Sequence, residues 1–248
     1  MKLIQALSAL ALAVVVSVAA APAARAADDT IRVATDATFP PLEFVKDGKR
    51  TGFDIELIEA MAKIMHKKVQ WVDIDFKGLI PGLIANRFDV AASGIYMTDE
   101  RRKVVDFTDP YYKGGLVVVV RKNDTSIKTP ADLDGKKVTV QVGTKSVAFL
   151  KDNYPKVQRV EVEKNQEMFD LVNIGRADAA VTGRPAAVEY AKAQPNVRVL
   201  DKGLTTELYG FALRKDETAL TAEMNKALQT LRANGTYDAL TAKWFGKQ

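Results

Sequence analysis

Leu83-Ile84-Ala85-Asn86-Arg87-Phe88-Asp89-Val90-Ala91-Ala92-Ser93-Gly94 is matched further along the chain by Val172-Asn173-Ile174-Gly175-Arg176-Ala177-Asp178-Ala179-Ala180-Val181-Thr182-Gly183. In each run a helix-like stretch ends, Arg-x-Asp makes the turn, and an apolar strand closes on a hydroxyl residue followed by glycine. Helix–turn–strand units also look alike without being repeats, and that reading stands beside the other. Read as a repeat, the match predicts two lobes with equivalent strand ends. Ligands of open α/β sheets bind at the carboxyl ends of strands, so Gly94 and Gly183 are expected to face each other across a cleft.

The surrounding pattern is α/β. Strand-like stretches at Ile31–Thr35, Val69–Ile74, Phe88–Ser93, Lys137–Gln141, Val157–Val162 and Asp178–Thr182 alternate with helical spacing at Gly52–Met65, Leu79–Asn86, Ser146–Asn153 and Gln166–Ile174. Such alternation predicts mostly parallel sheets with helices on their faces. Leu116–Arg121 is a continuous valine run, as a strand buried on both faces requires. Val197–Leu200 and Tyr209–Arg214 read as strands, and Glu217–Asn234 and Thr236–Phe245 as closing helices. No Gly/Pro/Ser-rich linker parts the halves, so extended strands are expected to join them. The candidate crossings are Tyr111–Leu116 and Glu207–Phe211. The expected lobes are 27–115 with 208–248, and 116–207.

The N-terminus reads as an export signal. Lys2 gives a charged start, Leu3 to Ala21 is uncharged and apolar, and Ala24-Arg25-Ala26 offers the small residues of a cleavage site. A membrane anchor of this length is the competing reading; the A-x-A site and the polar Asp28-Asp29 favour cleavage after residue 26. Removal takes away Lys2 and Arg25, so the net charge of +5 falls by two. The chain has no cysteine, which excludes disulfides, thiol catalysis, Cys-bound metal and a lipidated N-terminal Cys. An exported chain without a lipid anchor is expected in a Gram-negative periplasm. The sequence pI is about 9.2, yet no Lys/Arg block is interleaved with aromatics, so no nucleic-acid partner is expected.

The chemistry on offer is recognition. Ser93-Gly94-Ile95-Tyr96-Met97-Thr98-Asp99-Glu100-Arg101-Arg102 runs from a buried strand into a short helix that Thr98 can cap. Free N–H groups and the planar fork of Arg101 are what a carboxylate needs; the plainer alternative is a simple cap with Arg101 paired to a nearby acid. Asp36 lies just past the first strand, either a turn residue or a carboxylate aimed into the cleft. Phe39, Phe44 and Phe76 fit either core or pocket walls. Gln141-Val142-Gly143-Thr144-Lys145-Ser146 follows a strand and opens a helix; its spacing fails the phosphate-loop rule but suits an anion-holding turn. His66, the only histidine, sits at the polar end of a helix and is expected to be exposed. No metal set can form around it, and no nucleophile elbow or dinucleotide fingerprint occurs. Neither a cofactor nor a metal is expected.

Val33-Ala34-Thr35-Asp36, Gly52-Phe53-Asp54-Ile55-Glu56-Leu57, Ser93–Arg101, Asp106-Phe107-Thr108-Asp109-Pro110-Tyr111-Tyr112, Asp132-Leu133-Asp134-Gly135-Lys136 and Leu231–Phe245 resemble the type II periplasmic polar amino-acid-binding proteins of ABC importers. The glutamine- and basic-amino-acid-binding members are the most similar, and the resemblance covers essentially all of the chain after the leader. It implies two α/β lobes joined by two strand crossings, closing by hinge motion over one ligand. The cargo is then a polar amino acid or related small carboxylate, passed to an inner-membrane permease, and the protein a monomer and not an enzyme. The resemblance places the α-carboxylate clamp on Arg101, with Gly94, Tyr96 and Thr98 beside it. Phe39 and Phe76 are the implied aromatic walls, Asp36 the reader of the ligand side chain, and Gly143-Thr144-Lys145 the turn of the second lobe.

One position departs from the family pattern. Members that bind free α-amino acids usually carry an aspartate at the second lobe's strand end to hold the ammonium, and here Gly183 stands there, followed by Arg184-Pro185. Either another carboxylate such as Glu207 compensates, or the ligand has no free α-amine, with Arg184 a candidate second anion contact. Tyr96 is expected to narrow the pocket. An exported enzyme resembling the cyclohexadienyl dehydratases is the alternative, although no acid is placed for a dehydration.

Overall fold

The computed structural model describes residues 29–246; the expected leader, 1–26, lies outside them. Two five-stranded sheets form the body. In the first, Thr30–Thr35 lies between Lys68–Asp73 and Val90–Ala91, parallel to both, while Ala212–Leu213 lies antiparallel between Val90–Ala91 and Asp106–Phe107. In the second, Lys137–Gln141 pairs in parallel with Gln158–Val162 and Ala179–Gly183, and Leu116–Arg121 lies antiparallel between Ala179–Gly183 and Val197–Val199. The sheets are therefore mixed rather than mostly parallel. The antiparallel strands are those by which the chain enters the second sheet and returns to the first, and a chain arriving from the cleft side must run against the strands that end there.

The passage is a two-stranded ribbon, Tyr112–Gly114 antiparallel to Glu207–Tyr209. Leu116 to Val120 are all at most 1 % exposed, which is the two-faced burial that the valine run requires. Helix Phe53–Ile64 packs Phe53, Leu57, Ile58 and Met61 into the core of the first lobe, and Thr218–Ala233 adds Met224, Leu228 and Leu231 to it.

The two Arg-x-Asp turns share the same main-chain bonds. Asn86 and Gly175 both take the left-handed conformation (φ 56° and 77°) that ends a helix, and the amides of Arg87 and Arg176 reach back to the carbonyls of Gly82 and Leu171 at 3.0 and 2.9 Å. Asp89 then accepts from the amide of Arg32, and Asp178 from that of Lys137, each at 2.8 Å. Each aspartate pins the start of the neighbouring parallel strand, so both strands carry their hydroxyl–glycine ends to the same edge of their sheet.

Two elements depart from the sequence reading. Thr38–Phe39, Glu43–Lys46 and Lys49–Thr51 form a small antiparallel sheet where a loop was expected. Arg184–Ala193 is a helix that the Gly-Arg-Pro run concealed; proline suits the first turn of a helix, where its missing N–H costs nothing.

Candidate functional site

The carboxyl edges of the two sheets face each other across a narrow cleft. Phe39 sits between the two strand ends: a Cβ placed on Gly94 would lie 3.1 Å from one edge of its ring, and one on Gly183 3.0 Å from its tip. Of the residues singled out from the sequence, Asp36, Phe39, Phe76, Gly94, Tyr96, Arg101, Thr144, Lys145 and Gly183 line the cleft. Thr98 and Gly143 do not. Thr98 caps the helix Asp99–Val104 by accepting from the Arg101 amide at 3.2 Å, and Gly143 meets Arg101 only through its carbonyl.

Arg101 is held by its surroundings rather than by an acid. One guanidinium nitrogen donates to the Tyr96 carbonyl at 3.0 Å and another to the Gly143 carbonyl, from the opposite lobe, at 3.4 Å. Its plane lies over the Phe76 ring at 5.5 Å, a favourable cation–π placement. Among the described residues no carboxylate lies within ion-pair distance of it. Burial draws its pKa down to about 10, against the smaller opposing influence of Tyr96 and Glu100. The cleft thus holds a cation that has lost water without gaining an anion.

Asp36 is differently placed. It is 4 % exposed, and both oxygens are occupied: one accepts from the Phe76 amide (3.1 Å) and Gln141 (2.9 Å), the other from Thr38 (3.1 Å) and the Lys164 ammonium (2.9 Å). Gln141 and Lys164 come from the second lobe. Lys164 also reaches Asp75 at 2.7 Å, and Lys77 pairs with Glu163 at 2.5 Å. These contacts draw the rims of the cleft together.

Beneath the first strand end lie two fully buried carboxyls, Glu43 and Asp54. Asp54 accepts from the Gly94 amide (3.0 Å) and the Tyr111 hydroxyl (2.6 Å), and Glu43 from Ser93 (3.0 Å). They are also bonded to each other. The oxygens left without any other donor are Glu43 Oε2 and Asp54 Oδ1, so a single proton between them satisfies both. Burial raises both groups, Asp54's negative charge raises Glu43 further, and the Tyr111 and Gly94 bonds restrain Asp54.

The second strand end is neutral. Tyr96 and Tyr209 stack at 4.4 Å, and the Tyr209 hydroxyl donates to that of Tyr96 at 2.9 Å. A Cβ on Gly183 would fall 2.6 Å from the Tyr209 oxygen and 3.1 Å from the Tyr96 oxygen. Glu207, weighed as a substitute for the absent aspartate, is bound to Lys145 at 2.5 Å and does not line the cleft. Arg184 is exposed and donates to the Asp201 carbonyl, away from the cleft. Ser93, Gln141, Asn165 and Tyr209 line the cleft without having been marked as site residues. Gln141 and Tyr209 lay in stretches already noted as a strand end and a crossing, but nothing in the sequence marked their side chains. His66 is exposed, and among the described residues no acid, histidine or cysteine cluster fit for a metal is present.

Residues 31–247 match the model of the bacterial extracellular solute-binding proteins, family 3. The chain belongs to that family. The lysine/arginine/ornithine-binding periplasmic protein of Escherichia coli (strain K12) is 36% identical over 251 residues, covering 96% of this chain and 96% of that protein. Among solved structures, an ancestral arginine-binding protein bound to arginine is 41% identical with a TM-score of 0.85, covering 88% of this chain and 99% of that one. An ancestral amino-acid-binding protein described as a precursor of cyclohexadienyl dehydratase is 43% identical, TM-score 0.81, over 88% of this chain and 95% of the other. These relatives are two-lobed binding proteins by fold and by name, and this family 3 member is a solute-binding protein, not an enzyme. Among its described residues no helix is long and apolar enough to cross a membrane.

Proposed function

We propose that this protein is the periplasmic capture subunit of an ABC importer, taking up a small polar molecule through its carboxylate and handing it to an inner-membrane permease. The observation that carries this reading is Arg101: a partly desolvated guanidinium, aimed by a capped helix and a stacked phenyl ring, in a cleft between two lobes joined by a slender ribbon. A ligand carboxylate supplies the anion that Arg101 lacks, in a two-pronged, charge-assisted contact. Phe39 and Phe76 wall the remainder of the ligand, and the Gly143-Thr144-Lys145 turn closes on it from the second lobe. The ribbon allows the two sheets to part and rejoin as rigid bodies, and the first relatives in which ligands are named bind amino acids. The protein acts as a monomer.

The test is thermal unfolding of protein stripped of carried-over ligand by unfolding and refolding, with L-glutamine, L-arginine, L-glutamate and small 2-oxo and 2-hydroxy carboxylates. A ligand at one hundred times its Kd adds about 2.7 kcal/mol of stability. Arg101→Ala is expected to remove that gain, with a loss of binding of about 2–5 kcal/mol, while the ligand-free protein melts as before. A variant that keeps its affinity would overturn the clamp.

A further inference from the structure

The charges lining the cleft can be accounted for one by one. Asp36 takes four hydrogen bonds, about the capacity of a carboxylate, and one donor is the Lys164 ammonium. Glu43 gives one oxygen to Ser93 and shares a proton with Asp54 through the other. Lys145 is neutralised by Glu207. The Glu43–Asp54 pair, with one shared proton, keeps one negative charge, which is turned inward to the Ser93, Tyr111 and Gly94 donors, whereas the donors of Arg101 reach only main-chain carbonyls. A ligand carboxylate is the partner those Arg101 donors fit.

The second strand end bears on what the ligand carries beside its carboxylate. A ligand ammonium needs an acceptor, and a buried one is costly unless the acceptor is an anion. The second strand end offers none: Gly183 has no side chain, and the place where its Cβ would stand is occupied by the Tyr209 and Tyr96 hydroxyls at 2.6 and 3.1 Å. Those hydroxyls are uncharged and already bonded to each other.

We infer that the cleft selects small monocarboxylates that carry no free ammonium, of the 2-hydroxy or 2-oxo acid class, over the corresponding α-amino acids. The inference rests on the capture reading above and narrows its ligand. Arg101 holds the carboxylate, and the hydroxyl or oxo group at C2 meets the Tyr96–Tyr209 hydroxyl pair, which can donate to it.

The experiment compares matched pairs that differ only in the C2 substituent, by thermal shift and calorimetry on the mature chain stripped of ligand: L-alanine with L-lactate, L-leucine with L-2-hydroxy-4-methylpentanoate, L-phenylalanine with L-phenyllactate. Within any pair that binds, the hydroxy acid is expected to bind at least ten-fold more tightly. A tighter amino acid overturns the inference and leaves the capture function standing. Failure of every member, and of every compound in the Arg101 panel, at 10 mM overturns both. Gly183→Asp combined with Tyr209→Phe, which adds an anion and removes the oxygen in its way, is expected to reverse the order within a binding pair; an unchanged order would also count against the inference. Should that double variant not fold, the wild-type comparison decides alone.

Discussion

Ser93-Gly94 and Thr182-Gly183 end equivalent strands, are delivered by the same Arg-x-Asp turn, and touch the same phenyl ring, yet they are supported by opposite means. The first rests on buried acid: Asp54 and Glu43 hold its amide and hydroxyl, and Gly94 adopts φ 50° to present them. The second rests on stacked aromatics and buried valines, with an ordinary φ of −66° at Gly183. A strand end fixed by a hydrogen-bonded network in a low-dielectric setting is rigid. One that leans on flat rings can slide. On the capture reading, the difference predicts that the first lobe positions the ligand and that the second carries the closing movement.

The comparison breaks most visibly at Asp54. Asp54→Ala deprives the Tyr111 hydroxyl, the Gly94 amide and the Glu43 proton of their acceptor, and a loss of about 3–5 kcal/mol is expected from breaking a buried network of this kind. Tyr209→Phe, at the other end, forfeits one neutral hydrogen bond and is expected to cost about 1 kcal/mol. Urea unfolding of both variants measures the contrast, and equal losses would mean that the two ends are not supported differently.

The glycines sharpen it. Gly94→Ala forces a side chain into the left-handed region, at about 1–2 kcal/mol. Gly183→Ala meets no backbone penalty but drives a Cβ against the Tyr209 oxygen at 2.6 Å. Its cost is therefore expected to fall when Tyr209 is already phenylalanine, with a coupling in the range of about 0.5–3 kcal/mol for touching residues. Additive effects in a double-mutant cycle would show that the hydroxyl does not fill that space.

These contrasts also mark what the sequence could and could not disclose. The Arg-x-Asp echo was legible because each turn is local: cap, aspartate and strand lie within a dozen residues. Arg101 was legible because Thr98 stands three residues before it, at capping distance. The helix at Arg184–Ala193 was hidden because Gly-Arg-Pro suits a loop as well as a helix start. Asp36 shows the limit. The resemblance implies a reader of ligand side chains, and Asp36 does line the cleft, but its partners Gln141 and Lys164 stand 105 and 128 residues away, and only the packing of one lobe on the other brings them to it. The same holds for Gly183: its type was plain, whereas the tyrosine that fills its space is contributed by the return crossing.

The buried acids give a pH test with a definite sign. Both are raised in the folded protein, so the fold binds more protons than the unfolded chain. Their stabilising contribution is complete below the ordinary carboxylate range near 4 and is lost as pH rises toward about 7, where Asp54 titrates. Glu43→Gln keeps a donor toward Asp54 without a proton to lose. Relative to wild type, its melting temperature is expected to improve steadily from pH 5 to pH 8; a constant difference would mean that the pair shares no proton.

The smallest effect on stability is expected at the rim, where it bears most on motion. Lys164 is 42 % exposed along its side chain, and its pairs with Asp36 and Asp75 are of the kind that contribute about 1 kcal/mol or less. Those pairs exist only while the lobes are together. Lys164→Gln is therefore expected to leave the melting temperature nearly unchanged but to shift the ligand-free protein toward an open form, raising its radius of gyration in solution scattering. Asp36→Asn removes the other half of the same contact and is expected to do the same, with no further opening when the two are combined. If Asp36→Asn instead altered which ligands bind while the lobes stayed as closed as before, Asp36 would be reading the ligand and not latching the cleft. An Asp36 committed to Lys164 and Gln141 is one more carboxylate withheld from the ligand, so this last measurement also tests whether the clamp proposed at Arg101 selects the cargo without help from Asp36.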